Sequence, residues 1–125
     1  MLKHSKLVGF VATSKPESSR RFYGELLGLS LIEESPYAIV FESHDTIIRV
    51  QKTEQVFPPP YTSLGWEVEN INEIVRSLSD AGVQFEQFQG LEQDAAGVWS
   101  VPNGSKVAWL KDPDGNLLSL TQPNP

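Results

Sequence analysis

Cysteine is absent from the 125 residues, which removes disulfides, thiolate zinc sites and cysteine nucleophiles together. Histidine is scarce: only His4 and His44 are present. Imidazole is the usual acid–base group near neutral pH and a common metal ligand, so both bear on any metalloenzyme reading. His4 precedes the first apolar stretch and His44 lies in a polar Ser-His-Asp turn. Both are expected to be exposed rather than catalytic. No apolar run reaches the roughly 18 residues a spanning helix needs, and the amino terminus shows no basic patch followed by an apolar stretch. A cytoplasmic protein without a membrane partner is expected. Basic residues are in the minority, 10 against 16 acidic ones, for a formal net charge of −6. A polyphosphate backbone would be repelled on average, so no nucleic-acid partner is expected.

What is present is ordinary globular material. Hydrophobic residues make up 39% and charged residues 21%, far from the composition of disordered chains, and a chain of this length can fold without a staple. A single domain over 1–125 is expected. Residues 7–13 are largely apolar and β-prone. Pro16 then suits a first helical turn, and Phe22, Tyr23, Leu26 and Leu27 recur at helical spacing before Gly28, a natural left-handed terminator. The pattern predicts a helix over about 16–27. Runs at 29–34, 37–42 and 46–52, divided by Ser35-Pro36 and Ser43-His44-Asp45, read as an antiparallel meander. Phe57-Pro58-Pro59-Pro60 favours an extended conformation and offers few amide donors. Residues 53–60 are therefore read as a linker.

The second half repeats the first. Residues 64–69 read as a strand, and Ile71, Ile74, Val75 and Leu78 mark a helix over 71–81 that ends before Gly82, the counterpart of Gly28. A strand at 83–88, a long excursion over 89–104 and strands at 105–111 and 116–121 follow. The last two flank Asp112-Pro113-Asp114-Gly115, strong hairpin chemistry. The chain reads as a βαβββ duplication, with modules over 5–52 and 61–122.

This order of elements, the run Ser-Arg-Arg-Phe-Tyr-Gly-Glu-Leu-Leu-Gly-Leu at 19–29 and the run Leu-Lys-Asp-Pro-Asp-Gly-Asn-Leu-Leu at 110–118 resemble the vicinal oxygen chelate superfamily. Glyoxalase I, extradiol dioxygenases, fosfomycin-modifying enzymes and bleomycin-binding proteins share that pattern. The resemblance spans about 5–122. It implies an α+β fold of two βαβββ modules forming an incomplete barrel, with the ligand in the concave sheet face. It also implies four positions that commonly hold a metal, which fall here at Val8, Arg49, Ser63 and Ser119. Those side chains offer no anionic group and one fixed positive charge, whereas divalent metals in such a setting need carboxylate or imidazole ligands. Neighbours Leu7, Gly9, Ile48, Val50, Leu64, Leu118 and Leu120 supply no ligand either. Neither a metal nor another cofactor is expected.

Strand alternation, set in phase by those positions, puts Val8, Phe10 and Ala12 on the cavity face, with Ile47, Arg49 and Gln51, then Ser63, Gly65 and Glu67, then Leu117, Ser119 and Thr121. The candidate ligand-binding set is Val8, Phe10, Arg49, Ser63, Gly65, Glu67, Trp99 and Ser119. A guanidinium binds carboxylate or phosphate bidentately, so Arg49 either anchors an anionic ligand or pairs with Glu67 or Glu42. Glu67 is a weak candidate for a general base. Ser63 and Ser119 lack an activating histidine and are expected to hydrogen-bond rather than attack. Phe57, Tyr61, Phe85, Phe88, Trp99 and Trp109 either line a pocket for a flat ligand or fill the core. Trp99 is the preferred gate, because the excursion over 89–104 is longer than a hairpin needs.

The leading expectation is a metal-free protein that binds a small anionic or aromatic molecule. The alternatives are a glyoxalase- or dioxygenase-type lyase or oxidoreductase, with a displaced metal site or acid–base work by Glu67 or Glu42, and a non-catalytic interaction module. Exposed strand edges make a homodimer the expected assembly.

Overall fold

The β-prone stretches of both halves form open sheets with one shared strand topology. The structure is a computed structural model that describes residues 1–124. It divides into two units, Met1–Pro58 with Asp112–Asn116, and Pro59–Lys111 with the chain from Leu117 onward. In the first unit β1 (Val8–Thr13), β2 (Ser30–Glu34), β3 (Ala38–Ser43) and β4 (Thr46–Lys52) lie in the order β1-β4-β3-β2. β1 runs parallel to β4, and the other pairs are antiparallel. His44 and Asp45, both at positive φ, make the β3–β4 turn.

The first helix departs from expectation. Pro16–Arg20 is a short α-helix (α1), but Arg21–Leu26 continues it as a π-helix, with the Leu27 amide bonded to the Phe22 carbonyl at 2.9 Å. The wider turn accompanies the anchoring of Tyr23, which is fully buried and donates its hydroxyl to Asp112 Oδ2 at 2.7 Å. Gly28 ends the segment at φ 77°. Alternate residues of the strands, Val11 on β1, Ile39 and Phe41 on β3, and Ile48 and Val50 on β4, are buried with Tyr23. Each such side chain stabilises the fold by roughly 1.5–3 kcal/mol. At the edge of the sheet, Glu34 receives Arg20 Nε at 2.7 Å and Lys52 Nζ at 2.8 Å. Hydrogen bonds from Arg20 and then Lys52 lower its carboxyl pKa to about 2.

The second unit repeats the arrangement with β5 (Thr62–Glu67), α2 (Ile71–Asp80), β6 (Trp99–Ser100), β7 (Lys106–Lys111) and β8 (Leu117–Gln122), in the order β5-β8-β7-β6. Ile71, Val75 and Leu78, the inward stripe of α2, are buried, as are Ala108, Leu110, Leu118 and Leu120 on the strands. α2 ends in a Schellman motif: the Val83 amide reaches the Leu78 carbonyl at 2.9 Å and the Gly82 amide reaches Ser79 at 3.0 Å. Gly82 takes φ 101°.

Two expectations here are corrected. Residues 83–88 are not a strand, and the outer strand of this sheet is the two-residue β6, inside the stretch expected to be a loop. The reason is a side chain that substitutes for a ladder. Gln93 Oε1 accepts the Phe88 amide at 2.7 Å, while its Nε2 donates to the carbonyls of Glu86 and Gly97, both at 2.8 Å. One backbone bond, from the Glu86 amide to the Trp109 carbonyl at 2.8 Å, ties the segment to β7.

Candidate functional site

On the first sheet, the residues opposite the helix-facing set form an open face. The register pairs Val8 with Ile47, Phe10 with Arg49 and Ala12 with Gln51, and pairs Arg49 with Val40 on β3. Arg49 therefore occupies an inner strand, flanked on either side by Phe10 and Val40. Phe10 is 58% exposed. Phe10, Tyr37, Ala38, Arg49, Gln51 and Lys52 line a pocket of about 280 Å³. Drug-sized sites span roughly 300–1,000 Å³, so this one suits the head of a ligand. Lys52 is held by Glu34 at 2.8 Å. Among the described residues of the first unit no carboxylate lies within 4.0 Å of the Arg49 guanidinium, so Glu42 does not pair with it. Val8, 37% exposed, lies two residues from Phe10 on the same face but is not among the pocket-lining residues. Tyr37, Ala38 and Lys52 are the members that sequence reasoning missed; Tyr37, expected to open the strand at 37–42, precedes β3 instead.

On the second sheet the open face carries Gly65, Ser119 and Trp109 in one row across β5, β8 and β7, and Glu67, Thr121, Val107 and Trp99 in the next. Gly65 makes room for its neighbour, since a Cβ there would lie 2.6 Å from Ser119 Oγ. Ser63 breaks the expected alternation. It falls in a bulge between Thr62 and Leu64 and has no partner across the ladder, so the pattern that placed it beside Gly65 and Glu67 does not hold there. Trp99 is not a loop gate. It belongs to β6 and stacks on Trp109 with ring centroids 6.2 Å apart at 27°, and Phe88 meets Trp109 edge-on at 5.2 Å. Phe85 is core, whereas Phe57 and Tyr61 are exposed. Glu67 is exposed and makes no ion pair among the described residues.

A third cluster lies within the first unit, with Tyr23, Asp112 and Asn116 buried and Asp114 half-buried beside an exposed Ser14. Asp112 accepts the Tyr23 hydroxyl at Oδ2, the Asn116 side-chain amide at 2.8 Å, and the backbone amides of Asp114 and Asn116 at 2.9 Å each. Burial, then the Asp112 charge and its hydrogen bond, push the Tyr23 hydroxyl far above its ordinary pKa. This phenol stays protonated and donates. Asp114 accepts the Ser14 amide and hydroxyl at 2.8 Å each, together with the Thr13 and Ser19 hydroxyls. Burial pushes the Asp114 carboxyl up, but those hydrogen bonds outweigh it and hold it below the usual aspartate value. The carboxylate sits where α1 begins, a position favourable to negative charge. Among the described residues no buried side-chain polar atom lacks a partner, so the buried part of this cluster, Tyr23, Asp112 and Asn116, is internally satisfied.

Among the described residues no three His, Cys, Asp or Glu side chains gather where they could hold a metal ion, and no helix is long and apolar enough to cross a membrane. No curated protein matches the sequence. Solved structures do. A glyoxalase family protein from Bacillus anthracis superposes with a TM-score of 0.76 at 18% identity, covering 97% of this chain and 96% of its own. A lactoylglutathione lyase from Agrobacterium tumefaciens gives 0.76 at 13%, covering 98% and 96%. TnmS3, an antibiotic binding protein from a Streptomyces species, gives 0.72 at 22%, covering 99% of each chain. At these identities the likeness is one of fold. The family model of the Glyoxalase/Bleomycin resistance protein/Dioxygenase superfamily matches residues 7–120, nearly the whole chain, and the protein belongs to that superfamily.

Proposed function

We propose that the protein binds a small aromatic carboxylate or a related flat anion on the open sheet faces, without a metal and without breaking a bond. The observation that carries this is Arg49. It stands on an inner strand beside Phe10 in a pocket that also holds Tyr37, and no carboxylate among the described residues of its own unit neutralises it. A guanidinium beside two aromatic rings is suited to a planar anion, by bidentate hydrogen bonding at one end and ring contact at the other. The Trp99–Trp109 pair, with Ser119 beside Trp109 in its row, is proposed as a second surface for flat groups. Val8, Arg49, Ser63 and Ser119 stand where the superfamily resemblance puts metal ligands, and none is a carboxylate or imidazole. That donor set does not fit a divalent ion. Exposed Leu7, Phe10, Leu31, Ile32 and Tyr37 support the accompanying proposal of a homodimer, to be checked by sedimentation.

The test is a thermal-shift screen of aryl carboxylates, aryl phosphates and neutral aromatics, followed by calorimetric titration of the hits. Anionic aromatics are expected to dominate. Arg49→Ala should weaken them by about 1.5–3 kcal/mol, the range for hydrogen bonds to charged groups, and Arg49→Lys should also weaken them, because an ammonium cannot reproduce the planar fork. Hits that are neutral, or whose affinity ignores Arg49, would overturn the proposal. One equivalent of tightly held zinc, iron, nickel or manganese in protein purified without a polyhistidine tag would overturn its metal-free part.

A further inference from the structure

The helical side of the second unit carries a pocket that the open sheet faces do not include. It measures about 690 Å³ and lies between α2 and the segment after it, lined by Asn72, Val75, Arg76, Phe85, Asp94 and Val98 among others. Its apolar floor is made of side chains that are themselves anchored: Val75 is 1% exposed, Val98 4% and Phe85 8%. Its charged groups are Arg76 from α2 and Asp94 from the facing turn.

That turn is rigidly built. Asp94 Oδ1 accepts the amides of Ala96 at 3.0 Å and Val98 at 2.9 Å, and the Asp94 carbonyl accepts the Gly97 amide and Gln87 Nε2, both at 3.0 Å. Gly97 sits at φ 102°, where a Cβ would come within 2.9 Å of the Phe85 side chain, so the turn rests directly on the pocket floor. One oxygen of Asp94 is thereby fixed. The other, Oδ2, accepts no hydrogen bond among the described residues, and the Arg76 guanidinium makes none. These opposite charges line the same pocket yet do not approach within 4.0 Å of each other.

We infer that this pocket is a site for a zwitterionic ligand of the α-amino-acid class with an apolar side chain. A carboxylate of such a ligand meets the planar fork of Arg76, its ammonium meets Asp94 Oδ2, and its side chain covers Val75, Phe85 and Val98. A ligand with only one charge leaves the other protein group unanswered, which is the basis of discrimination. The side-chain amide of Asn72, on the same helix as Arg76, adds a neutral donor and acceptor to the rim. This site is independent of the Arg49 proposal.

The experiment is an NMR titration of the isotopically labelled full chain with L-leucine, with 4-methylpentanoate, which lacks the ammonium, and with isopentylamine, which lacks the carboxylate. L-Leucine should bind saturably and shift amides around 72–76 and 94–98, and each single-charge analogue should bind about tenfold more weakly or worse, as expected for loss of one charge-assisted bond. Arg76→Gln and Asp94→Asn should each lower affinity by a similar factor, whereas Arg49→Ala should leave it unchanged. Arg76 lies on an exposed helical face, so its variant folds, and Asp94→Asn keeps an oxygen for the turn amides. Absence of saturable binding at millimolar L-leucine would overturn the inference. So would equal affinity for the three probes, or binding that survives both substitutions.

Discussion

Removing the Tyr23 hydroxyl tests the buried acceptor at Asp112 with little disturbance of shape. In Tyr23→Phe the ring keeps its edge contact with Phe22 at 5.1 Å and its tilted contact with Phe41 at 6.0 Å. Only the bond to Asp112 Oδ2 disappears. A hydrogen bond to a charged group is worth about 1.5–3 kcal/mol. The lower part of that range applies, because Oδ2 keeps the Asn116 amide at 2.8 Å and Oδ1 keeps two backbone amides. The expected loss is about 1.5–2 kcal/mol. With a slope of about 1–3 kcal/mol/M, the urea midpoint falls by roughly 1 M at constant slope. Asp112→Ala should cost more, about 3 kcal/mol or above, since it strands a fully buried hydroxyl and the Asn116 amide, each at about 1–3 kcal/mol. In the Asp112→Ala background Tyr23→Phe should therefore be nearly neutral or stabilising. Equal costs of Tyr23→Phe with and without Asp112 would refute the reasoning, because a double-mutant cycle with no coupling means the two groups do not act on each other.

Two further outcomes follow from the backbone and from Asp114. Gly28→Ala and Gly82→Ala should each destabilise by about 1 kcal/mol through the positive-φ cost, since nothing lies within 4 Å of the added Cβ at either site to add strain or packing; unchanged urea midpoints would remove the left-handed terminators from the account. Asp114 has a folded-state pKa held below its ordinary value of 3.8, so its contribution is fully present above the unfolded pKa and fades as pH falls through the folded one. Asp114→Asn should accordingly lower stability at neutral pH and flatten the acid limb below about pH 4, read by urea midpoints across pH; an acid limb of unchanged steepness would count against it.

Much of the fold was legible because periodicity is a local property. The strand Thr46–Lys52 falls where its alternation put it, the inward stripe Ile71, Val75 and Leu78 is buried, and both glycine terminators take positive φ. The failures are equally specific. Residues 83–88 have the composition of a strand, but whether such a run pairs depends on what satisfies its backbone groups, and here the Gln93 side chain takes the Phe88 amide and the Glu86 carbonyl in place of a strand neighbour. The π-helical turns of Arg21–Leu26 are invisible to a 3.6-residue period, which the same apolar positions satisfy almost as well. Ser63 falls at a bulge, which strict alternation does not foresee, while Gly65 and Glu67 beyond it pair with Ser119 and Thr121 as expected.

The motif Asp-Pro-Asp-Gly-Asn shows why a site is harder to read than a fold. As a sequence it announces a turn, and the turn is there, with the Gly115 amide on the Asp112 carbonyl at 3.0 Å and Gly115 at φ 90°. A turn alone, however, does not require two aspartates and an asparagine whose side chains are committed elsewhere. Asp112 serves Tyr23, Asp114 serves Thr13, Ser14 and Ser19, and Asn116 Nδ2 reaches the Ala12 carbonyl at 2.9 Å, all close to a hundred residues away in the chain. No local pattern encodes those partners. The consequence for function is subtractive: both carboxylates of this motif are spent on holding α1, the π-helical segment and the end of β1 in place. The charged chemistry left for ligands is therefore the chemistry without internal partners, and Arg49, Arg76 and one oxygen of Asp94 are where the proposals above locate it.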